Sequence, residues 1–231
     1  MSFVNRFQGS FFNPQKTFAA LAERPVWVDV FIVVFIAIGF FSYLTAPYSK
    51  KDTLQLWKDN VKMQERLGKE NFQKRLDMIA NASPARSLPF PLAAFLIGLF
   101  FSSLIVLVLG RLVSAQGSYR QVLAAIVHAS LIDKILGNAV RLALVMTRKS
   151  FFQTSTGLAL LFPGMEITSP AYIILAQFDF FQLWMFGILA YGLAVIFKVE
   201  LKKALLVSYG FWALKAVFTI ALSLLTMSFM K

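Results

Sequence analysis

Six ionisable side chains lie inside long apolar stretches of this chain: His128, Asp133, Lys134, Arg141, Asp179 and Lys215. A charge at the centre of a bilayer costs about 2.5–3.5 kcal/mol on insertion scales, so such residues face a protein interior, a charged partner or water. Ser130, Lys134, Asn138 and Arg141 recur at i, i+4, i+8 and i+11, one continuous stripe on an α-helix. A stripe of that kind can carry an ion, a proton or a lipid headgroup along an intramembrane polar track. The plainer reading is structural, with buried pairs fixing how the helices pack. His128 divides the same way: a helix-to-helix hydrogen bonder on the plain reading, a proton relay on the sharper one. Trp184, Trp212 and the small residues Gly187, Ala190 and Ala194 read as packing features.

Depth suggests which charges meet. At 1.5 Å per residue, Asp133 (13 residues past Arg120) and Lys215 (12 past Lys203) both sit about 18–20 Å from one membrane face. Arg141 (21 past Arg120) and Asp179 (19 before Lys198) both sit about 30 Å from it. The expected pairs are Asp133 with Lys215 and Arg141 with Asp179. Lys134 is left without an acid at its level, which makes it a candidate for holding an anion or a lipid phosphate.

Other chemistries lack their residues. There is no cysteine, so disulfides, thiol nucleophiles and thiolate metal sites are excluded. One histidine and scattered acids build neither a histidine-rich metal centre nor a carboxylate cage. No nucleophile elbow, zinc-protease helix, phosphate loop or dinucleotide fingerprint occurs. No catalytic residue, metal or cofactor is expected, and the protein is expected not to be an enzyme. Asn81-Ala82-Ser83 matches a glycosylation acceptor by chance.

The elements that must position these residues are membrane spans. Apolar runs cover about 26–48, 88–113, 121–147, 171–197 and 204–230, each longer than the ~20 residues needed to cross a hydrocarbon core. Hydrophobic residues form 58% of the chain, above the roughly half typical of soluble domains, so the runs cannot all be buried cores. The expected architecture is all-α: a polytopic membrane protein with a bundle of five transmembrane helices, an N-terminal interfacial segment and an outer helical loop. Residues 1–24 form an amphipathic segment with Phe3, Phe7, Phe11, Phe12 and Phe18 turned to the headgroups, and 25–231 form the membrane domain. No basic-then-apolar signal peptide occupies the first 25 residues, so the first span serves as its own insertion signal.

Two connections stand out. In 49–87, Trp57, Val61, Gly68, Phe72, Leu76 and Ile79 fall near one helical face, with Glu65–Lys69 and Glu70–Lys74 on the other. Gly68 weakens the centre, so two short helices fit as well as one. The stretch 148–170 has an apolar middle too short to cross, which fits a re-entrant or interface-lying turn with its corner at Pro163-Gly164.

The net charge of +12 is spread along the membrane edges, which points to anionic lipid headgroups as partners and not to nucleic acid. With the N-terminus inside, the inner segments carry eight basic residues and the outer ones twelve, five acids offsetting the long loop. The charge rule leaves orientation open. FFNPQKTFAALAERPVW, GSYRQVLAAIVHASL and above all FDFFQLWMFGILAYGLAVIFKVELKKALLVSYGFWAL, in that order, resemble the Yip-domain family of integral membrane proteins. The short N-terminus resembles the prokaryotic forms, which are related to the eukaryotic Ypt/Rab-interacting membrane proteins. The resemblance implies five spans, a prokaryotic cytoplasmic membrane, and a cytoplasmic N-terminus with 49–87 and Lys231 outside. Eukaryotic members take part in vesicle trafficking, but no general activity follows for prokaryotic ones, and the expected function is a membrane scaffold or adaptor for an unidentified membrane or cytoplasmic protein. A small transporter or channel using the third-span track is the alternative.

Overall fold

Ser2 opens the first helix by accepting the backbone N–H of Asn5 at 3.3 Å, and α1 runs Phe3–Phe12. Asn13 ends it and caps the next, α2 (Pro14–Glu23), where Pro14 fills a first-turn position that needs no donor. The pair does not hang free of the bundle. Phe18 and Leu21 of α2 are 0% and 1% exposed, packed into the same core as residues of the third and fourth spans. Phe12, at the corner, stays exposed. Phe18 was expected to turn to the headgroups; the structure instead buries it in the bundle core, with Phe7 and Phe11 packed against that core.

The computed structural model describes residues 1–152 and 154–230, with no account of the side chains of 228–230. Five helices among them are long and apolar enough to cross a membrane, at Val28–Lys58, Pro84–Arg111, Tyr119–Arg148, Phe180–Phe197 and Leu201–Met227. The protein is an all-α, multi-pass integral membrane protein. Lys231, expected outside, lies outside the described residues.

The first span, α3 (Val28–Lys58), continues ten residues past its expected edge at 48. After it come α4 (Val61–Leu67) and α5 (Lys69–Ala80), separated by Gly68 at φ +76°, a left-handed backbone that side chains rarely adopt. The long loop is thus two short helices appended to an extended span. Phe72 and Leu76 of α5 are buried, and the Phe72 ring lies 6.2 Å from that of Trp57 on α3. Val61, expected on the same face, is exposed.

A one-turn 3₁₀ segment, Pro84–Ser87, leads into the second span, α6 (Pro89–Arg111). The third span begins with a capping box at Ser118 and Gln121 as α7 (Tyr119–Leu131), widens into a π turn at Ile132–Gly137, and ends as α8 (Asn138–Arg148). It is the central helix, 72% buried in its most apolar window against 17–44% for the others. Lipid tails are as apolar as leucine, so such helices associate through close packing. Ala124, Ala125 and Ala129, all 0% exposed, allow that approach.

The run expected to cross at 171–197 is broken, and its second part, Phe180–Phe197, is the spanning helix. α9 (Pro170–Ala176) stops, Gln177 to Asp179 cross without helix, and α10 (Phe180–Phe197) restarts. Asp179 makes the restart by accepting the backbone N–H of Gln182 at 3.0 Å, a cap that competes with continuous helix. The preceding loop folds back on this break through an antiparallel bridge between Gly157 and Asp179. The last helix, α11 (Leu201–Met230), packs along α10.

Candidate functional site

The π turn sets up the chemistry of the third span. π-bulges are rare and recur at functional sites. The wider turn lets Arg141 reach back eight residues, its Nη1 donating to the Asp133 backbone carbonyl at 3.2 Å and its Nη2 to Asp133 Oδ1 at 2.7 Å. Nη2 also donates to both Asp179 carboxylate oxygens at 3.0 Å, Nη1 to Asn138 Oδ1 at 3.0 Å, and Nε to Thr156 Oγ1 at 3.0 Å. The Thr156 hydroxyl in turn donates to Asp179. One guanidinium therefore fastens the third span, the break in the fourth and the loop between them.

Gly137 makes room. A Cβ there would stand 2.9 Å from Arg141 Nη1 and 3.1 Å from Phe181. The guanidinium also sits 5.9 Å from the centre of the Phe181 ring, close enough for a cation–π contact. Asp133 and Asp179 are 3% and 5% exposed, and these partners offset the cost of burying their charges.

The Arg141–Asp179 pair matches the depth expectation. Asp133 does not pair with Lys215: it takes Arg141 on one oxygen and Lys134 on the other at 2.7 Å. Lys134 is accordingly engaged and no longer a candidate for anion capture. Depth alone misled here because a neighbour one residue away lies within reach at almost any depth. Lys215 instead donates to Gln182 Oε1 at 2.7 Å, from an exposed position on α11 within electrostatic reach of Asp133 and Asp179.

The stripe expected from α-helical spacing is not continuous. Ser130 turns back to the Val127 carbonyl at 2.7 Å, and the π turn rotates everything beyond it. Asn138 and Arg141 meet within the clamp, while Lys134 is one-third exposed. His128 bonds the Ala124 carbonyl of its own helix at 2.8 Å, not another helix. It is fully buried, and its Nε2 has no partner among the described residues.

Two anchors escaped the sequence reading. Arg6 of α1, counted as a headgroup anchor, is 8% exposed and forms an ion pair with Asp29 at the start of α3. Asp52 on α3 accepts from Ser150 Oγ at 2.9 Å, Phe151 N at 2.6 Å and Phe152 N at 2.9 Å, tying the second loop to the first span. An acid just inside the apolar run (Asp29) was a visible signal for the first; nothing in the local sequence marked the second. A cavity of about 590 Å³ opens beside Asp52, between α3 and the 150–167 loop, and no clamp residue lines it.

A family model described as the Yip1 domain matches residues 9–223, nearly the whole chain. No curated protein and no solved structure matches it.

Proposed function

The chain belongs to the Yip1 domain family, and from that premise we propose that it is a non-enzymatic scaffold or adaptor that holds partner proteins through its loops and lateral surface. The observation that carries this reading is the saturation of the Arg141 clamp. Arg141 spends its donors on Asp133, Asp179, Asn138 and Thr156, and Asp133 has a cation on each oxygen. Groups so committed fix helix positions; a migrating ion or proton needs groups that exchange partners. Proteoliposomes holding the wild type should therefore show no ion or proton flux above protein-free vesicles. Flux that falls on Lys134→Ala or Arg141→Ala would overturn the scaffold reading.

A second reading is favoured by a specific feature, the π turn of the third span beside the break in the fourth. Broken helices line the substrate sites of many transporters, usually at the midplane, whereas this break stands at the start of the spanning helix Phe180–Phe197. The same flux assay decides between the two. The orientation belongs to the proposal: a prokaryotic cytoplasmic membrane with the N-terminus inside and 49–87 outside. Cysteine placed at Lys62 should label with an impermeant reagent added to intact cells, in a chain with no thiol of its own. Labelling only after lysis reverses the orientation.

A further inference from the structure

A second cavity, about 450 Å³, lies where α3, α5 and the 3₁₀ turn before α6 converge. Its lining includes Lys50, Arg75 and Arg86, the hydroxyl residues Ser49, Thr53, Ser83 and Ser87, and no carboxylate. Apolar residues, among them Ala46, Pro47, Met78 and Ile79, complete the wall, with Trp57 beside them. The Lys50 ammonium donates to the Ala80 carbonyl at 2.9 Å and the Ala82 carbonyl at 3.4 Å, which fixes the end of α5 against α3. Arg75 and Arg86 differ. Both are exposed, and among the described residues neither guanidinium takes part in an ion pair or a side-chain hydrogen bond.

The height of this cavity matters. Ala46 lies 18 residues into α3, about 27 Å along its axis, so the cavity starts near the far edge of a hydrocarbon core about 30 Å thick. Its apolar wall sits where acyl chains end and its cations sit where headgroups begin. Two guanidiniums offer forks of donors that match phosphate oxygens, and the hydroxyls of Ser49, Thr53 and Ser83 add further donors, that of Ser87 being given to the Pro84 carbonyl. Chloride or a single carboxylate would leave most of these donors unused.

We propose that this cavity binds a phosphate group, delivered either by the headgroup of an anionic lipid or as a free phosphate. Arg75 and Arg86 grip the phosphate oxygens, and Lys50 holds the site's two walls together. The site is independent of the scaffold reading and survives its failure.

The test uses the full chain in a neutral maltoside detergent, with thermal unfolding and Trp57 emission as readouts. The Trp57 signal is assigned by subtracting the Trp57→Phe variant. Dihexanoyl phosphatidic acid and inorganic phosphate are titrated separately. The proposal expects a raised Tm and a changed Trp57 emission with at least one probe, and a half-saturating concentration at least about tenfold higher in Arg75→Gln/Arg86→Gln. A response to the lipid alone assigns the source to a headgroup; an equal response to inorganic phosphate assigns it to the free anion. Lys51→Gln/Lys69→Gln removes the same charge from the same loop outside the cavity and should leave the response intact. The proposal falls if neither probe acts, if Arg75→Gln/Arg86→Gln responds like the wild type, or if the control pair weakens the response as much.

Discussion

Two places in this molecule gather three cations each, and they are built oppositely. Within the spans, Lys134 and Arg141 are ion-paired with Asp133 and Asp179, while Lys215, exposed on α11, donates to Gln182. At the membrane edge, Lys50, Arg75 and Arg86 share a cavity with no acid in its wall. The difference follows from the surroundings. Within hydrocarbon no water screens a charge, so a buried cation such as Arg141 depends on anions in the same chain. At headgroup level, water and lipid phosphates are present, and cations can stay uncommitted. Saturated charges hold structure; uncommitted ones hold ligands.

Breaking the clamp should have the largest effect. Asp179→Asn leaves Arg141 short of a carboxylate and should lower stability by about 3–5 kcal/mol, measured by unfolding in mixed detergent micelles. Adding Arg141→Gln should recover part of that loss and no more, because Asp133 then loses its guanidinium too. Strictly additive losses would mean that the two side chains do not act as a unit.

Next comes the room made for the guanidinium. Gly137→Ala should destabilise by about 1–3 kcal/mol through overpacking against Arg141 and Phe181. In an Arg141→Gln background the shorter side chain relieves the contact, so the same substitution should be milder. Equal losses in both backgrounds would place the strain elsewhere.

Lys134 sharpens the comparison from the clamp's edge. It is one-third exposed and supports an Asp133 that Arg141 already holds, so Lys134→Gln should cost about 1 kcal/mol or less. A loss as large as that of Asp179→Asn would show that the clamp is not saturated without it. Smallest of all, Arg75→Gln/Arg86→Gln should leave unliganded stability within about 0.5 kcal/mol of the wild type, since among the described residues neither guanidinium takes part in an ion pair or a side-chain hydrogen bond. Unfolding midpoints taken without phosphate or added lipid check this, and a larger fall would mean that these arginines are structural.

Much of the architecture could be read in advance, for physical reasons. Hydrocarbon thickness imposes a length on each crossing, so five apolar runs announced five spans. Gly68 left one helix or two equally open in the 49–87 loop, and its left-handed backbone in the structure makes it two. The rarity of charge inside apolar runs singled out Asp133, Lys134, Arg141 and Asp179, and depth alone joined Arg141 to Asp179.

What remained hidden depended on rotation and on contacts between distant segments. The π turn shifts the helical face by part of a turn, which no 3.6-residue pattern can show, and so the stripe from Ser130 to Arg141 dissolved. The break before Phe180 was invisible because the run stays largely apolar on both sides, and the helix is stopped by Asp179's capping bond and the bridge from Gly157. Arg6 with Asp29, Asp52 with the loop at 150–152, and the cavity joining Lys50 to Arg75 and Arg86 all unite residues over 20 positions apart. Sequence determined where the chain crosses and which residues resist lipid. Only the packed bundle decided which charges neutralise one another and which are left open, because pairing depends on how each helix is turned toward its neighbours.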